Sequence, residues 1–341
     1  MSGCADPLRE SVVRYCSLAG SDPLLVQGAG GNVSWKDEDI LWIKASGTWL
    51  SEAAEREIFL PVDLTHLRTA IEAGDFAPLP RVRSESALRP SIETLLHALM
   101  PHRVVLHLHP VEILSHLVRD CCQSALESLL GSVVSWAMVD YHKPGATLAA
   151  AVSAVRTLRP DANVIFLRNH GVVVGGEDVE EAGNLLDLVI ARLTIAPYPN
   201  AVVAKKPGRV LNFGGRTYEA VDGEQVQGLA FPGLFSRLKE DWALYPDHVV
   251  FLGAEPVCYD SLSQLSDELS QGDAPEFFFL KGEGVFAARG FSAAKKAQLQ
   301  CFHDVLVRQP EELLLRALDE EQVAELLDWD AERYRQSVAK L

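Results

Sequence analysis

The most constraining stretch of the sequence is VVLHLHP, residues 104–110, an apolar run that carries two histidines. Successive side chains of an extended strand point to opposite faces, so His107 and His109 lie on one face together with Val105. A buried strand with two imidazoles side by side needs either polar groups that hold them or a metal ion that they share. The pair alone does not decide between these alternatives, and the rest of the chain must provide a third ligand.

Composition limits the classes of partner. The chain has 341 residues, enough for one large domain or two ordinary ones. Hydrophobic residues make up 48% and charged residues 23%, which is typical of a soluble globular protein. The net charge is −16 and no cluster of lysine and arginine stands out. We therefore expect no nucleic-acid and no membrane partner.

The N-terminus, the apolar segments and the cysteines bear on the cellular location of the protein. The N-terminal MSGCADPLRE lacks the basic start and apolar stretch of a signal peptide. No apolar segment approaches the roughly 20 residues that span a bilayer. The six cysteines are scattered without CxxC spacing, which is typical of reduced thiols in a chain of this size. The sequence therefore predicts a cytoplasmic protein.

Strand-like and helical segments alternate along the first two thirds of the chain. Helical spacing predicts helices within residues 7–19, 61–74, 91–101, 111–130, 146–158 and 177–193. Alternating or continuous apolar runs predict strands within residues 32–36, 40–46, 104–108, 132–141 and 163–176, the last with a turn in its middle. This order, with several hairpin connections, predicts an α/β fold with a mixed sheet in layers.

A domain boundary is predicted near APYPNAVVAKKPGR, residues 196–209, where prolines interrupt the periodic pattern. We expect a metal-binding domain over residues 1–205 and a smaller α/β domain over residues 206–341.

The second domain partly repeats the first. VIFLRNHGVVV (164–174) matches FFFLKGEGVFA (277–287), and PHRVVLHLHP (101–110) more weakly matches PDHVVFLGAEP (246–256). The second half is therefore either a degenerate repeat of the first or an unrelated α/β domain. These matches place Glu283 at the position of His170, and Leu252 and Ala254 at the positions of the His-x-His pair. A repeat of this kind would lack imidazole ligands and bind no catalytic metal.

The third imidazole comes from His170 in FLRNHGVVV, at a strand end where Gly171 allows close backbone approach. Two strand histidines and one turn histidine form a face of three nitrogens. Three protein ligands with one open position are the usual arrangement of a catalytic zinc ion, whereas four closed ligands are structural.

Polar residues before the histidine strand are further candidates. Glu93 begins a helix that leads directly into this strand, so its carboxylate can project over the metal; alternatively it complements the helix dipole. Ser91 is also a typical helix cap. Gly30, Gly31 and Asn32 form either an anion-binding nest of backbone N–H groups or a plain Gly-Asn turn.

Five motifs together resemble a known family. GAGGNVS, IKASG, SIETLLH, HLHP and RNHGVVVGG occur in the order and approximate spacing of the class II aldolase/adducin family, over roughly residues 7–195. This family includes fuculose- and rhamnulose-phosphate aldolases and ribulose-phosphate 4-epimerases. The segment RPSIETLLHALMP, residues 89–101, is most similar to the aldolase part of rhamnulose-phosphate aldolase/dehydrogenase fusions.

The resemblance implies a layered α/β/α domain around a central, largely antiparallel sheet. It implies a divalent metal, Zn²⁺ or another such as Mn²⁺, held by His107, His109 and His170. Glu93 corresponds to the acid/base of the aldolases. Tyr141, in YHKPG, corresponds to a tyrosine that donates a proton from the adjacent subunit, which implies a homo-oligomer.

The resemblance also implies a set of substrate-binding residues around the phosphate. They are Gly31, Asn32, Ser46, Gly47 and Ser91. Ile92 stands in place of a second serine of the family pattern, and Lys44 and Arg89 are candidates to compensate for the lost hydroxyl.

These observations predict a metal-dependent aldolase that cleaves a sugar phosphate or related hydroxylated ketose through a metal-stabilised enediolate. The expected partner is a small-molecule sugar phosphate or sugar acid. A metal ion can stabilise the enediolate by several kcal/mol without a Schiff-base lysine. An epimerase or decarboxylase of the same family is the near alternative. A non-catalytic, adducin-like interaction module is the distant one, because a scaffold has no need of the histidines and Glu93.

Overall fold

The structure is a computed structural model that describes residues 6–198, 207–213, 215–269 and 274–339. Contacts divide the chain into two compact units. The first runs to Thr194 and includes residues 328–339 from the C-terminal end, and the second comprises Ile195–Leu327. The predicted boundary at 205/206 falls in residues 199–206, outside the described residues. The last helix, expected with the rest of residues 206–341, belongs to the first unit.

The first unit is built on a sheet of seven strands in the order β3-β2-β1-β4-β7-β6-β5. All neighbouring strands are antiparallel except β5 and β6, which are parallel. This confirms the predicted mixed, largely antiparallel sheet. The strands are β1 (Asn32–Asp37), β2 (Ile40–Lys44), β3 (Phe59–Asp63), β4 (Val104–Leu108), β5 (Trp136–Val139), β6 (Val164–Leu167) and β7 (Gly171–Gly176).

Helices cover both faces of this sheet. Asp6 and Asp178 accept hydrogen bonds at the N-termini of the first and last of them, as helix caps do. The helices are α1 (Pro7–Ala19), α2 (Leu64–Glu72), α3 (Thr94–Leu99), α4 (Val111–Leu117), α5 (Cys122–Leu130), α6 (Ala146–Leu158) and α7 (Val179–Leu193), with a 3₁₀ turn at Leu50–Ala54.

Two segments differ from the prediction. Residues 59–63 form β3 against β2, although the sequence predicted a helix from residue 61. The predicted helix over 111–130 is two helices, α4 and α5. The carbonyl of Leu117 accepts a hydrogen bond from the backbone N–H of Asn169, so a tertiary contact replaces a helical one where α4 ends.

The buried side chains form a layer on each side of the sheet. Val104, Leu106 and Leu108 of β4 pack with α1, α4, α5 and α7 on one side. Val105 packs with α3 and α6 on the other side, and a third cluster joins β2 and β3 to α2 and α3. The α/β/α layering is therefore confirmed. His107 shares the face of Val105, so it points towards the α3 layer.

The second unit contains a sheet of five strands in the order β10-β11-β12-β9-β8. Its strands are β8 (Leu211–Phe213), β9 (Arg216–Ala220), β10 (Cys258–Tyr259), β11 (Phe277–Leu280) and β12 (Gly284–Ala288). Its helices are α8 (Glu224–Gly228), α9 (Leu234–Arg237), α10 (Pro246–Leu252), α11 (Leu262–Leu269), α12 (Ala293–Leu306) and α13 (Glu320–Leu327). One more helix, α14 (Asp330–Val338), belongs to the first unit.

The two sheets share a strand order. In the second unit β9-β12-β11-β10 follows the same sequence of antiparallel, antiparallel and parallel pairs as β4-β7-β6-β5 in the first. Residues 277–306 form strand, turn, strand and helix, like residues 164–193. The degenerate repeat stays a prediction, and this shared topology supports it.

Strand register changes which residues correspond to the histidine pair. Residues 246–252 form the helix α10, so Leu252 and Ala254 do not occupy strand positions equivalent to the histidines, contrary to the sequence match. His107 pairs with Val173 of β7, and the corresponding residue of β12 pairs with Ala220. Ala220 and Asp222 therefore correspond to the His-x-His pair in the second unit.

No helix among the described residues combines the length and the apolar character needed to cross a membrane.

Candidate metal centre

Strand directions bring the predicted site residues to one end of the seven-stranded sheet. β4 and β6 end there, and His109 and His170 follow their last residues. β1 begins at the same end, because it is antiparallel to β4 and pairs Asn32 with His107. β2 also ends there, at Lys44. Sheet topology thus gathers residues that are more than 60 positions apart in the sequence.

Three buried imidazoles form a cluster at this end. The candidate ligand atoms of His107, His109 and His170 all lie within 4.8 Å of one another. The Nε2 atoms of His107 and His109 are 3.2 Å apart. The Nδ1 atom of His107 lies 3.1 Å from the carbonyl of Val172, so the proton belongs on Nδ1 and the Nε2 lone pair points into the cluster.

The turn between β6 and β7 places His170. Asn169 adopts a positive φ of 53°, a conformation that asparagine tolerates better than most residues. A Cβ atom on Gly171 would lie 2.5 Å from the carbonyl oxygen of Leu108 and 2.7 Å from the His109 ring. Glycine is therefore required for β7 to approach the His109 side chain.

The Glu93 carboxylate lies against the cluster. Its oxygens are 3.2 Å from Nε2 of His107 and 3.3 Å from Nε2 of His170, and the residue is 7% exposed. It stands at the N-cap of α3 but makes no side-chain cap hydrogen bond. Burial acts to raise the pKa of Glu93, yet the two histidines and the Asn32 amide hold it well below its usual range.

A histidine that the sequence analysis did not select, His97, completes a directed chain of hydrogen bonds. The Asn32 amide donates to Glu93 Oε2 at 2.9 Å, and Asn32 Oδ1 accepts from His97 Nε2. His97 Nδ1 lies 2.7 Å from the Ser34 hydroxyl, which donates to it. Burial lowers the pKa of His97 to about 3, so the ring is neutral and can donate on one side and accept on the other. The signal in the sequence was its i+4 spacing from Glu93 in SIETLLH.

We predict that His97→Ala lowers kcat by about 10–100-fold and leaves the bound metal in place, because the Asn32 amide loses its orientation. Metal content and steady-state kinetics measure the two effects. His97→Gln should restore part of kcat, since its amide can donate to Asn32. His116→Gln, a buried histidine that bonds the Leu193 carbonyl, is the matched control. Wild-type kcat in His97→Ala would contradict the role.

Four of the predicted substrate-binding residues lie in two joined loops: Lys44, Ser46, Gly47 and Ser91. Ala45 and Pro90 form a β-bridge, and Ser46 N–H donates to the Arg89 carbonyl at 2.9 Å. Lys44 is 2% exposed, and its ammonium group donates to the carbonyls of Ala29 and Thr48. Ser91 Oγ accepts from the Glu93 N–H at 3.2 Å, but the N-cap of α3 is Glu93 and not Ser91.

The Gly-Asn turn packs against the histidine strand. Gly31 has a φ of +60°, and a Cβ atom there would lie 2.9 Å from the carbonyl oxygen of His107. Asn32, the next residue, directs its side chain to Glu93 and His97. The Asn32 side chain therefore contacts Glu93, the acid/base candidate.

Tyr141 lies two residues beyond the edge strand β5, at the same end of the sheet as His170. Gly145 of the same loop approaches the segment before Glu93, since a Cβ atom there would be 4.0 Å from the carbonyl oxygen of Ile92. The loop that carries Tyr141 thus borders the segment before Glu93. The role of Tyr141 as a proton donor stays a prediction.

A family model described as the class II aldolase and adducin N-terminal domain matches residues 10–195, more than half of the chain. The chain belongs to this family. The resemblance inferred from five motifs is thereby confirmed, and the match ends next to the last residue of the first unit's main segment.

Individual relatives are more distant. A Bacillus subtilis protein named uncharacterized oxidoreductase YuxG is 31% identical over 188 residues, which are 50% of this chain and 27% of that protein. A methylthioribulose-1-phosphate dehydratase from Microcystis aeruginosa is 28% identical over 187 residues, 50% of this chain and 87% of that protein. A solved N-terminal class II aldolase domain from Thermoplasma acidophilum is 26% identical, with a TM-score of 0.47, over 57% of this chain and 94% of its own.

Proposed function

We propose that this protein is a metal-dependent lyase of the aldolase type, acting on a carbon–carbon bond next to the carbonyl of a hydroxylated ketose. The observation that carries the proposal is the buried cluster of three imidazoles with the Glu93 carboxylate within 3.3 Å of two of them. A carboxylate beside an open metal site is a suitable general base.

The residues of the cluster fit a divalent ion. Among the described residues the group holds three imidazole nitrogens and no fourth nitrogen or sulfur, which matches an open zinc site, and the adjacent carboxylate also suits Mn²⁺. The hydrogen bond from His107 Nδ1 to the Val172 carbonyl fixes the ligand tautomer from outside. When bound, the ion supplies positive charge that stabilises an enediolate.

In the direction of bond formation Glu93 acts as the base. Its ionised carboxylate takes the proton from the hydroxylated carbon next to the carbonyl of the donor ketone, and the C–H electron pair forms the enediolate. That carbon then bonds to the carbonyl carbon of an aldehyde, and the aldehyde oxygen takes a proton from Tyr141. Cleavage is the reverse, with Glu93 returning the proton to carbon. The Asn32 amide keeps one carboxylate oxygen in place throughout.

A panel assay tests this function. Purified protein loaded with Zn²⁺ or Mn²⁺ is incubated with ketose 1-phosphates, unphosphorylated ketoses and sugar acids. We expect release of an aldehyde that a chelator abolishes and added metal restores. Epimerisation without aldehyde, or release of carbon dioxide, would indicate the near alternatives. Loss of water is also measured, because one relative is named a dehydratase. A metal-loaded protein with none of these reactions would favour an interaction module.

A further inference from the structure

The joined loops 44–47 and 89–93, here called the loop corner, lead directly to the Glu93 carboxylate. The Ala45–Pro90 bridge holds the loops together, and Ser91 N–H donates to the Lys44 carbonyl at 3.2 Å. Lys44 and Arg89 bring two positive charges to this corner. Cations of this kind attract anions, so the corner is a candidate position for a phosphate.

The C-terminal helix α14 lies against this corner. A Cβ atom on Gly47 would be 2.6 Å from Cβ of Val338 and 2.9 Å from the carbonyl oxygen of Arg335. Gly47 therefore touches the last turn of the helix. The C-terminal turn of a helix carries partial negative charge on its carbonyl groups, which opposes a second anion at the same place.

Helix α14 and Trp329 just before it also engage the nearby cations. The Arg89 guanidinium lies 4.4 Å from the centre of the Tyr334 ring and 3.7 Å from the Asp330 carboxylate. The backbone N–H of Arg89 donates to the Tyr334 hydroxyl at 3.2 Å. Lys143 Nζ lies 4.6 Å from the centre of the Trp329 ring. These cation–π contacts direct the cations towards the protein's own aromatic rings.

A buried ion pair lies within α14. Glu332 is 2% exposed and lies 3.3 Å from Arg335, whose side chain is 11% exposed. Arg335 and Val338 are three residues apart, and the Arg335 carbonyl and the Val338 side chain both lie against Gly47. The Glu332–Arg335 pair therefore anchors the turn of α14 that precedes this contact.

We propose that the docked α14 excludes phosphate from the loop corner and restricts the site to unphosphorylated hydroxycarbonyl substrates. This inference rests on the proposed lyase function for the chemistry, but it concerns the binding of an anion. The Lys44 ammonium of the corner donates to the Ala29 and Thr48 carbonyls, and Asn32 of the neighbouring Gly-Asn turn donates to Glu93. Ile92 supplies no hydroxyl.

Calorimetric titration of the full chain, as purified, with inorganic phosphate tests the proposal. The double variant Trp329→Ala/Tyr334→Ala removes both aromatic rings of the helix and its start, the Trp329 ring on Lys143 and the Tyr334 ring on Arg89. We expect no saturable binding to the wild type up to about 10 mM phosphate, and binding to the double variant that is at least 10-fold tighter. The single variant Trp329→Ala should show a smaller gain, and it serves if the double variant unfolds.

Two controls isolate the effect of docking. Tyr334→Phe keeps the ring over Arg89 and should behave as the wild type. Arg333→Ala changes an exposed residue of the same helix, paired with the exposed Asp328, and should also leave phosphate binding unchanged. Equal binding of phosphate to wild type and double variant would overturn the proposal, and so would absence of binding to both. Because the measurement reads binding and not turnover, a failed lyase assay would not produce either result.

Discussion

Replacing Glu93 by glutamine is expected to leave the metal bound and to lower turnover by about 10²–10⁴-fold, the range that a positioned general base contributes. Glutamine keeps the size of the side chain and can still accept a hydrogen bond from the Asn32 amide. It cannot take a proton from carbon. The carboxylate lies among His107 and His170 and is not needed to cap α3, so the fold should survive. Metal content, thermal melting and kcat on the substrate found in the panel measure these effects.

Glu52→Gln is the matched control for this variant. Glu52 is a partly buried glutamate of the same unit that accepts from Trp49 N–H and pairs with Arg56. It lies outside the hydrogen-bonded group around Glu93, and we expect turnover within about twofold of the wild type. A Glu93→Gln protein with near-wild-type kcat would show that another group moves the proton. Loss of the metal would show that Glu93 is mainly a ligand.

His170→Ala is expected to weaken metal binding by more than about 100-fold and to abolish activity. Even groups that only support a ligand contribute 10–100-fold to metal affinity, and this change removes one of three ligands. The loss of an imidazole at a turn leaves β6 and β7 paired through their own strand hydrogen bonds. Competition with a chromophoric chelator gives the affinity, and elemental analysis gives the metal content.

His66→Ala provides the comparison, since His66 lies on α2 and contacts the carbonyl of Leu79 outside the cluster. Its affinity for metal should equal that of the wild type. If His170→Ala retained wild-type affinity, the ion would be bound elsewhere, and the three-histidine site would be wrong even if the enzyme needed a metal.

The parts of the fold that depend on local pattern could be predicted from the sequence. Alternation along VVLHLHP placed both histidines on one face, and the hairpin of β1 and β2 was evident from its apolar runs and the DED between them. The segment 59–63 could not be assigned in this way. Its residues Pro61–Asp63 continue smoothly into a helical pattern, and only pairing with β2 makes them a strand.

Long-range packing explains the rest of what was missed. His97 has the spacing of an ordinary core position in α3, and only the neighbouring β1 supplies the Asn32 and Ser34 that give it a role. The hydrophobic periodicity of α14 does not indicate that this helix packs in the first unit and not in the second. The assignment of Leu252 and Ala254 to the histidine positions was wrong, because sequence similarity does not reveal which strands pair. The strand register assigns Ala220 and Asp222 to these positions.

The most direct test of the three-histidine metal centre is the number of divalent ions bound by each purified 341-residue chain, measured by elemental analysis together with protein concentration. We expect one ion of zinc or manganese per chain, lost in His170→Ala, because the described residues of the second unit hold no cluster of three potential metal ligands. A value near zero in protein purified without chelator, or a value near two, would contradict it.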